Sequence, residues 1–285
     1  MILSFHPCFA DEIQIILKGR DLNSDDLALI QEAEVIILPQ SCQFDLYQAC
    51  KNSFALIFPN YEARFEYPGK IGQSLLFQKL KCPHPETIQW PSVDRFREEY
   101  RKAGNFPHSA PFLIKADRSH EAEGIYLVAE KRALESALEN LTSLEKSGFS
   151  GFITQELVPY GGDVLRAVII GGRTITYWKR PKKPGQIITT VSQGARIDRD
   201  WRTDLQEKGR VEAERFSVAT GINLAAIDLI FSLSHPDSQP LFLEVNYYFG
   251  RRGLGGSLNY YRLLLKAIQE WLFERGFDPK SVRLF

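Results

Sequence analysis

The chain has 285 residues, which is enough for one large domain or for two to three small ones. Hydrophobic residues make up 44% and charged residues 25%, a composition typical of a globular protein with a sizeable core. Lysine plus arginine and aspartate plus glutamate both number 35, so the net charge is zero. This balance argues against a nucleic-acid or membrane partner, whose binding would require a basic excess.

The first 19 residues are apolar, but they lack the basic start and the small-residue cleavage site of a secretion signal. We expect a strand followed by a helix in this segment. No apolar run reaches the ~18 residues of a membrane span. The cysteines are widely spread without a C-x-x-C pair, which favours reduced thiols in a cytoplasmic protein over disulfides or a metal site. They are Cys8, Cys42, Cys50 and Cys82.

Residues 1–80 are predicted to form a small parallel α/β domain, because short apolar runs alternate with helical patterns. The predicted strands are Met1–Phe5, Glu34–Pro39 and Phe54–Phe58. The predicted helices are Asp25–Ala33, Asp45–Lys51 and Lys70–Leu80.

Residues 81–158 are predicted to form an antiparallel sheet backed by helices. The predicted strands are Thr87–Trp90, Phe112–Ala116, Gly124–Ala129 and Phe152–Val158. The predicted helices are Val93–Ala103 and Ala133–Glu145, the second with one apolar face.

Residues 159–285 begin with a predicted hairpin around Gly171-Gly172, a two-residue turn that requires positive φ angles. Counting outward from this turn places Arg166 opposite Tyr177 and Asp163 opposite Arg180. The predicted strands are Val164–Ile170, Arg173–Arg180, Leu224–Phe231 and Leu241–Tyr247. The predicted helices are Asp204–Thr220 and Leu258–Arg275.

The last hairpin carries the strongest chemical signal. Asp228 lies in the middle of an apolar strand, and Glu244 and Asn246 lie two apart on the facing strand, so they share one face of the sheet. Burying two carboxylates together is costly unless a positive charge neutralises them. Their oxygen ligands suit a hard cation, so the three residues resemble a platform for Mg²⁺ and a nucleotide. The alternative is a pair of edge-strand carboxylates that face solvent.

Three further features indicate anion binding. Lys115 is the only charge in the apolar strand PFLIKA, so it pairs with an anion, extends to solvent or meets a phosphate. Arg166, Lys179 and Arg180 gather at the outer end of the first hairpin, either as a phosphate or carboxylate site or as a solvated face. The glycine-rich segment 249–257 follows the proposed metal strand, and its Arg251 and Arg252 are suited to hold a carboxylate bidentately unless the segment is an ordinary glycine-rich turn.

These features, in this order, resemble the ATP-grasp superfamily over nearly the whole chain. The segments that carry the resemblance are GKIGQSLLFQKLKCPHPET, PFLIKA, GIYLV, ITQELV, RAVIIGGRTITYWKR, AAIDLIF and LFLEVN. They are most similar to the glutamate ligases that modify a ribosomal protein tail. The resemblance implies a mixed α/β (α+β) fold in which two antiparallel lobes enclose a nucleotide cleft behind a small parallel N-terminal domain. It implies domains at 1–80, 81–158 and 159–285.

The resemblance also implies roles for individual residues. Those implied to bind ATP are Lys115, Glu156, Leu157, Asp163, Arg166 and Arg180, with Glu156 and Leu157 at the hinge that pairs with the purine edge. Asp228, Glu244 and Asn246 correspond to the ligands of two Mg²⁺ ions, for which Mn²⁺ is a substitute. Arg180 corresponds to a catalytic arginine that contacts phosphates, and Arg251 lies where the family places acceptor-binding residues.

Three segments depart from the family pattern. The loop 116–123 is polar where relatives carry several glycines, so its role as a phosphate lid is open. Asp163 stands three residues before Arg166, whereas relatives place an aspartate two before the arginine. The segment IITTVSQGA offers only the hydroxyls of Thr189 and Thr190 where relatives offer arginine and asparagine.

The reaction implied is that of a ligase that joins a carboxylate to an amine, or to a thiol, through an acyl phosphate and releases ADP and phosphate. The partners would be ATP, a carboxylate and an amine, with a homodimer as a common assembly in such proteins. Two alternatives stay open from the sequence: a small-molecule kinase with the same metal platform, and an ATP-binding protein without turnover.

Overall fold

The computed structural model describes residues 1–10, 12–117, 124–149, 151–182, 194–234 and 239–285. Three sheets take their strands from three successive stretches of the chain. The first sheet is parallel and the other two are antiparallel, as the sequence predicts. The predicted domain boundaries at 80/81 and 158/159 stay predictions.

The N-terminal sheet has the strand order β3-β1-β4-β5, with all of its pairings parallel. Its central strands read ILS and VII and are completely buried. The elements of this part are β1 (Ile2–Ser4), β2 (Phe9–Ala10), β3 (Ile13–Gln14), α1 (Ser24–Glu32), β4 (Val35–Ile37), α2 (Phe44–Lys51), β5 (Leu56–Phe58), α3 (Glu62–Glu66) and α4 (Gly69–Leu80).

The helix predicted directly after the first strand is wrong, because the described residues of that segment form two short strands. β3 pairs in parallel with β1, and β2 pairs with a strand at the C-terminal end of the chain, Arg283–Leu284. The conformation of this segment is therefore decided by pairing partners that are remote in sequence, and not by its local residue pattern. All four cysteines are free thiols, and Cys42 and Cys50 are buried.

The middle sheet has the order β6-β9-β7-β8 and is antiparallel throughout. Helices α5 and α6 cover one face with a core that contains Phe96, Leu134 and Leu138. The elements are β6 (Thr87–Trp90), α5 (Val93–Ala103), β7 (Phe112–Ala116), β8 (Ile125–Val128), α6 (Lys131–Lys146) and β9 (Phe152–Glu156).

The C-terminal sheet has the order β12-β11-β10-β13-β14. The hairpin register is as predicted, with Arg166 opposite Tyr177. Gly171 has a φ of 60°, whereas Gly172 is not in the positive-φ region that the sequence analysis expected of both. The elements are β10 (Val164–Ile170), β11 (Arg173–Arg180), β12 (Arg196–Asp198), α7 (Thr203–Thr220), β13 (Leu224–Ile230), β14 (Leu241–Asn246), a 3₁₀ turn (Arg252–Leu254), α8 (Ser257–Phe273) and β15 (Arg283–Leu284).

The two faces of the C-terminal sheet bury different cores. Leu165, Trp178 and Leu229 pack with residues of α7 on one face. Val168 and Tyr177 pack with residues of α8 on the other. Because side chains alternate along a strand, Arg166, Lys179 and Asp228 lie on the α8 side, beyond the end of that core. No helix among the described residues has both the length and the apolar character needed to cross a membrane.

Helix α7 approaches the sheet most closely at Gly209, so we expect Gly209→Ala to destabilise the protein. An added Cβ would lie 2.3 Å from Leu165 Cδ2 and 3.2 Å from Leu229 Cδ1, and both leucines are fully buried. Overpacking costs about 1–3 kcal/mol, against which alanine regains about 1 kcal/mol of helix propensity. Urea unfolding should show a net loss of stability. Gly172→Ala is the control, since nothing lies within 4 Å of its Cβ position; equal stability of the two variants would contradict the packing argument.

Candidate nucleotide and metal site

A cavity of about 1030 Å³ lies between the middle and C-terminal sheets, and helices and loops of the N-terminal part of the chain also line it. Among its described lining residues are seven lysines and arginines and four carboxylates, so the lining has an excess of three positive charges. Although the net charge of the sequence is zero, the cavity is locally basic and is therefore suited to an anionic ligand. The charged lining residues are Arg64, Lys70, Lys115, Asp117, Glu156, Arg166, Lys179, Asp228, Glu244, Arg251 and Arg252.

Asp228 is the centre of a buried ion-pair cluster in the floor of this cavity. Its side chain is 3% exposed and accepts two hydrogen bonds from Arg166, Nε to Oδ1 and NH2 to Oδ2, both at 2.8 Å. Lys179 Nζ donates a third bond to Oδ2 at 2.7 Å. Burial by itself would raise the pKa of Asp228, but the charges of Arg166 and Lys179 hold it well below its ordinary value. Asp228 is therefore ionised throughout the neutral range.

Glu244 and Asn246 lie beside this carboxylate. Asp228 pairs with Glu244 across the two strands, and a β-bulge follows at Leu229. Asn246 Nδ2 donates to Glu244 Oε1 at 3.0 Å and lies 3.4 Å from Asp228 Oδ2. The three residues named from the sequence thus meet on the cavity face of the sheet; their role as metal ligands stays a prediction.

The donor set fits a hard divalent cation, with two limits that the sequence does not reveal. Asp228 already accepts three bonds from Arg166 and Lys179, so it has little lone-pair capacity left for an ion. Asn246 presents its amide nitrogen to Glu244, so the amide would have to turn over to offer its oxygen. No group of three or more His, Cys, Asp and Glu side chains among the described residues could hold a metal ion by itself.

Lys115 reaches the cavity from the middle sheet. Its Nζ donates to Gln155 Oε1 at 2.6 Å, and Gln155 Nε2 donates to Thr87 Oγ1 at 2.9 Å, which fixes the direction of the lysine. Burial lowers the pKa of Lys115 to about 8, with Glu244 opposing and Lys70 reinforcing that shift. Burial also lowers the pKa of Lys70. Two ammonium groups that lose hydration in one cavity favour a ligand with concentrated negative charge.

Asp117 directly follows the strand of Lys115 and lies against the N-terminus of α4. Its carbonyl accepts from Lys70 N at 3.2 Å, and its Oδ1 accepts from Ile71 N at 2.7 Å. A Cβ at Gly69 would lie 2.4 Å from Asp117 Oδ2, so the approach requires a glycine. The carboxylate therefore fills a position where helix N–H groups would otherwise bind an anion. The rest of the proposed phosphate lid, 118–123, and both Thr189 and Thr190 lie outside the described residues.

The proposed purine hinge lies at the end of β9. Glu156 is engaged on two sides by Glu86: its N–H donates to the Glu86 carbonyl at 3.0 Å, and its Oε1 accepts from Glu86 N at 2.9 Å. Leu157 and Val158 line the cavity immediately beyond the strand. The hinge backbone is thus at the cavity, while the carboxylate that the resemblance assigned to the purine edge is already bound within the protein.

Arg180 and Asp163 are the assigned residues that the structure does not bring to the cavity. Arg180 Nε donates to Asp163 Oδ1 at 3.1 Å, as the register predicts, and its NH1 donates to Asp198 Oδ2 at 3.3 Å. The Arg180 guanidinium lies 3.8 Å from the centre of the Trp201 ring. Strand alternation explains the difference, because Lys179 points to the cavity and Arg180 to the α7 face.

The glycine-rich segment contributes Arg251 and Arg252 to the lining. Arg251 is held over two rings, with its Cζ 4.7 Å from the centre of Tyr260 and 4.5 Å from that of Tyr261. Gly253 lies against Tyr177, where a Cβ would be 1.9 Å from the ring. The segment is therefore packed tightly on the sheet that carries Asp228.

Sequence reasoning did not single out Lys70, Asp117, Gln155 or Tyr177, and it named Lys179 only as part of a cluster. The signal for Gln155 was available, because it is a polar residue that alternates with apolar ones in FITQE. Lys70 and Asp117 lie 47 residues apart in sequence, and only the packing of α4 against β7 brings them together.

Loss of the Asp228 charge should destabilise the fold. In Asp228→Asn, the nearly buried Arg166 and Lys179 side chains, 12% and 6% exposed, would lose their common counter-charge. Breaking a buried ion pair on one side costs about 3–5 kcal/mol, measurable by urea unfolding. Asp204→Asn, which breaks an exposed pair with Arg202, is the control and should hardly move the midpoint; a similar midpoint for both variants would contradict the cluster's structural role.

Comparison with known proteins gives matches in sequence and in fold, although no family model matches the chain. A probable alpha-L-glutamate ligase of Azotobacter vinelandii is 27% identical over 146 residues, covering 51% of this chain and 45% of that protein. The protein of the same name from Alcanivorax borkumensis is 26% identical over 168 residues, covering 58% of this chain and 52% of that protein. The chain thus aligns with about half the length of these curated relatives.

The D-alanine–D-alanine ligase of Bacillus anthracis has a similar structure, with a TM-score of 0.62 at 12% identity over 93% of this chain and 88% of that one. The same ligase complexed with ATP gives a TM-score of 0.61. This likeness concerns the fold, since the identity is low. The chain thus has an ATP-grasp fold like that of this ligase, and about half of its sequence is similar to probable alpha-L-glutamate ligases.

Proposed function

We propose that this protein is an ATP-dependent ligase that uses Mg²⁺ to join a carboxylate to an amine. One observation carries the proposal: the only three residues that the sequence assigned to a metal, Asp228, Glu244 and Asn246, meet in a cavity whose described lining has excess positive charge. The names of the relatives support an amino-acid substrate such as glutamate. A cytoplasmic location and a homodimer accompany the proposal as predictions.

The chain's own residues would position the nucleotide and neutralise its charge. Lys115 and Lys70 face the triphosphate, and the backbone at Leu157 and Val158 meets the purine edge at the end of β9. Lys179 takes the place in the cavity that the resemblance gave to Arg180. A bound Mg²⁺, held by Glu244 and Asn246 with the remaining capacity of Asp228, would offset phosphate charge. Arg166 keeps Asp228 ionised and fixed in direction.

The proposed reaction has two steps. A substrate carboxylate oxygen attacks the γ-phosphorus of ATP, the bond to the bridging oxygen breaks, and ADP leaves, giving an acyl phosphate. An amine then attacks the acyl carbon, loses a proton and expels inorganic phosphate. No side chain of the protein needs to act as a nucleophile, because positioning and electrostatics lower the barrier. Arg251 and Arg252 line the cavity where a substrate carboxylate would enter.

Product analysis tests the function. Purified protein with Mg²⁺, ATP and pairs of amino acids should release ADP and inorganic phosphate in equal amounts, and both should depend on the carboxylate and the amine. A stable phosphorylated product without phosphate release would make the protein a kinase. Nucleotide binding without ADP formation for any acceptor pair would make it a non-catalytic ATP-binding protein, and no nucleotide binding would refute the proposal.

Glu244→Gln should abolish Mg²⁺-dependent ATP turnover, because the amide removes one of the two carboxylates available to an ion while keeping the size of the side chain. Loss of the Glu244 charge beside the transferred phosphate is expected to lower the rate of ATP turnover at least about a hundredfold. The rate of ADP formation measures it. Glu135→Gln, on the exposed face of α6, is the matched control. Equal turnover in Glu244→Gln and the native protein would remove Glu244 from the mechanism.

ATP affinity should fall as the pH rises above about 8. The pKa of Lys115 in the free protein is about 8, so the fraction that carries the ammonium decreases above this pH. Binding of phosphate then requires uptake of a proton, which weakens affinity by up to roughly tenfold per pH unit. Titration with a non-hydrolysable ATP analogue from pH 7 to 9 measures the dependence. Lys115→Arg should flatten it, since an arginine stays charged; an identical slope in that variant would exclude Lys115 as the cause.

A further inference from the structure

The N-terminal part of the chain contributes one arginine, Arg64, to the described lining of the cavity. Arg64, in α3, lines the cavity together with Gln43, Phe65 and Tyr248. It comes from residues 1–80, where the sequence analysis named no individual ligand-binding residue. Its position sets it beside the strand that carries Glu244 and Asn246, because its Cζ is 5.9 Å from the ring of Tyr247.

The Arg64 guanidinium is fixed in position by aromatic rings. Its Cζ lies 5.1 Å from the ring centre of Tyr61 and 5.1 Å from that of Phe65, in addition to the Tyr247 contact. NH1 donates to the Gln40 carbonyl at 2.9 Å. Gln40 Nε2 in turn donates to the Tyr247 carbonyl at 3.3 Å, which ties this group to the end of β14. The side chain is therefore held before any ligand arrives.

The charge of Arg64 is not neutralised within the described structure. No carboxylate of a described residue lies within 4.0 Å of its guanidinium, whereas Arg166, in the same cavity, is paired with Asp228. A guanidinium has five N–H donors, and the described contacts use one of them. A half-buried arginine held by rings, with donors left over, is suited to bidentate binding of a carboxylate.

We propose that Arg64 binds a carboxylate of the substrate that is not consumed in the reaction. This inference deepens the proposed function and rests on it: that function places the reacting carboxylate at the γ-phosphate beside Glu244, whereas Arg64 lies in α3 and is tied through Gln40 to the Tyr247 carbonyl, beyond the end of β14. Arg64 is thereby assigned as the residue that distinguishes a substrate with a second carboxylate from the corresponding amide. The apolar edge formed by Phe65, Tyr247 and Tyr248 would contact the carbon chain between the two carboxylates.

Paired ligands that differ in one carboxylate test the assignment. The dissociation constants of L-glutamate and L-glutamine, and of L-aspartate and L-asparagine, are measured by calorimetry, without nucleotide and with Mg²⁺ and a non-hydrolysable ATP analogue. The native protein should bind at least one dicarboxylate about tenfold or more tightly than its amide, as expected for a charge-assisted hydrogen bond. A native protein without such a preference overturns the inference.

Variants of Arg64 assign the preference to this side chain. Arg64→Gln should bind the acid and the amide equally, while its affinity for the ATP analogue stays native. Arg64→Lys should retain part of the preference, because it keeps the charge and loses the planar fork. Arg132→Gln, an exposed arginine on α6 away from the cavity, is the matched control and should behave as the native protein.

The outcomes separate this inference from the proposed function. If the native protein binds nucleotide and forms ADP but Arg64→Gln keeps the preference for the dicarboxylate, Arg64 is not the binding group and only this inference fails. If no nucleotide binds to the native protein, the proposed function fails, while the ligand pairs measured without nucleotide still report on Arg64. Loss of nucleotide affinity in Arg64→Gln would show a structural role instead and would also overturn the inference.

Discussion

The contact on which the C-terminal sheet depends is the buried cluster of Asp228 with Arg166 and Lys179. The three residues lie on adjacent strands, β13, β10 and β11, so the ion pairs connect the strands side by side across the sheet. A carboxylate at this depth is tolerable only because two cations and several hydrogen bonds compensate for its lost hydration. The cluster fixes three side chains in one arrangement and also forms the floor of the cavity.

Because the cluster both stabilises the sheet and forms the floor of the cavity, its charges affect which ligands can bind there. A bare divalent cation that approached Asp228 would meet the positive charges of Arg166 and Lys179. The excess of basic residues in the lining likewise opposes a metal ion alone and favours an anion. The proposed function satisfies both conditions if the metal enters bound to the triphosphate, because the negative charge of the triphosphate exceeds the positive charge of the ion. The same reasoning assigns Glu244, outside the tight cluster, the larger part in holding the metal.

The two ends of the cavity differ in the way their charges are held. At the floor, Arg166 and Lys179 are paired within the protein and serve the sheet. Toward the N-terminal sheet, Arg64 and Arg251 are supported by aromatic rings. Rings hold a guanidinium in place without consuming its charge, so the arginine keeps its electrostatic attraction for a ligand. The paired charges of Arg166 and Lys179 thus stabilise the sheet, whereas the charges of Arg64 and Arg251 are left to attract the proposed substrates.

The sequence by itself determined most of the elements and one part of the site. Apolar periodicity predicted most strands and helices of the three sheets, although it missed β3, β12 and α3. The count outward from Gly171 gave the register of β10 with β11. The position of Asp228, Glu244 and Asn246 on one face followed from the two-residue repeat of a strand. Such features depend on neighbours within a few residues or on one hairpin, which is why local patterns carry them.

Only the tertiary structure decided which charges meet. The short strands β2 and β3 exist because of partners elsewhere in the chain, Arg283–Leu284 and β1. Lys179 rather than Arg180 faces the cavity because the α7 core takes the other side of β11. Asp117 meets Lys70 and Arg64 meets Tyr247 through packing between distant segments. Electrostatic energy depends on distance and burial, and these are properties of the folded chain that no local pattern of residues contains.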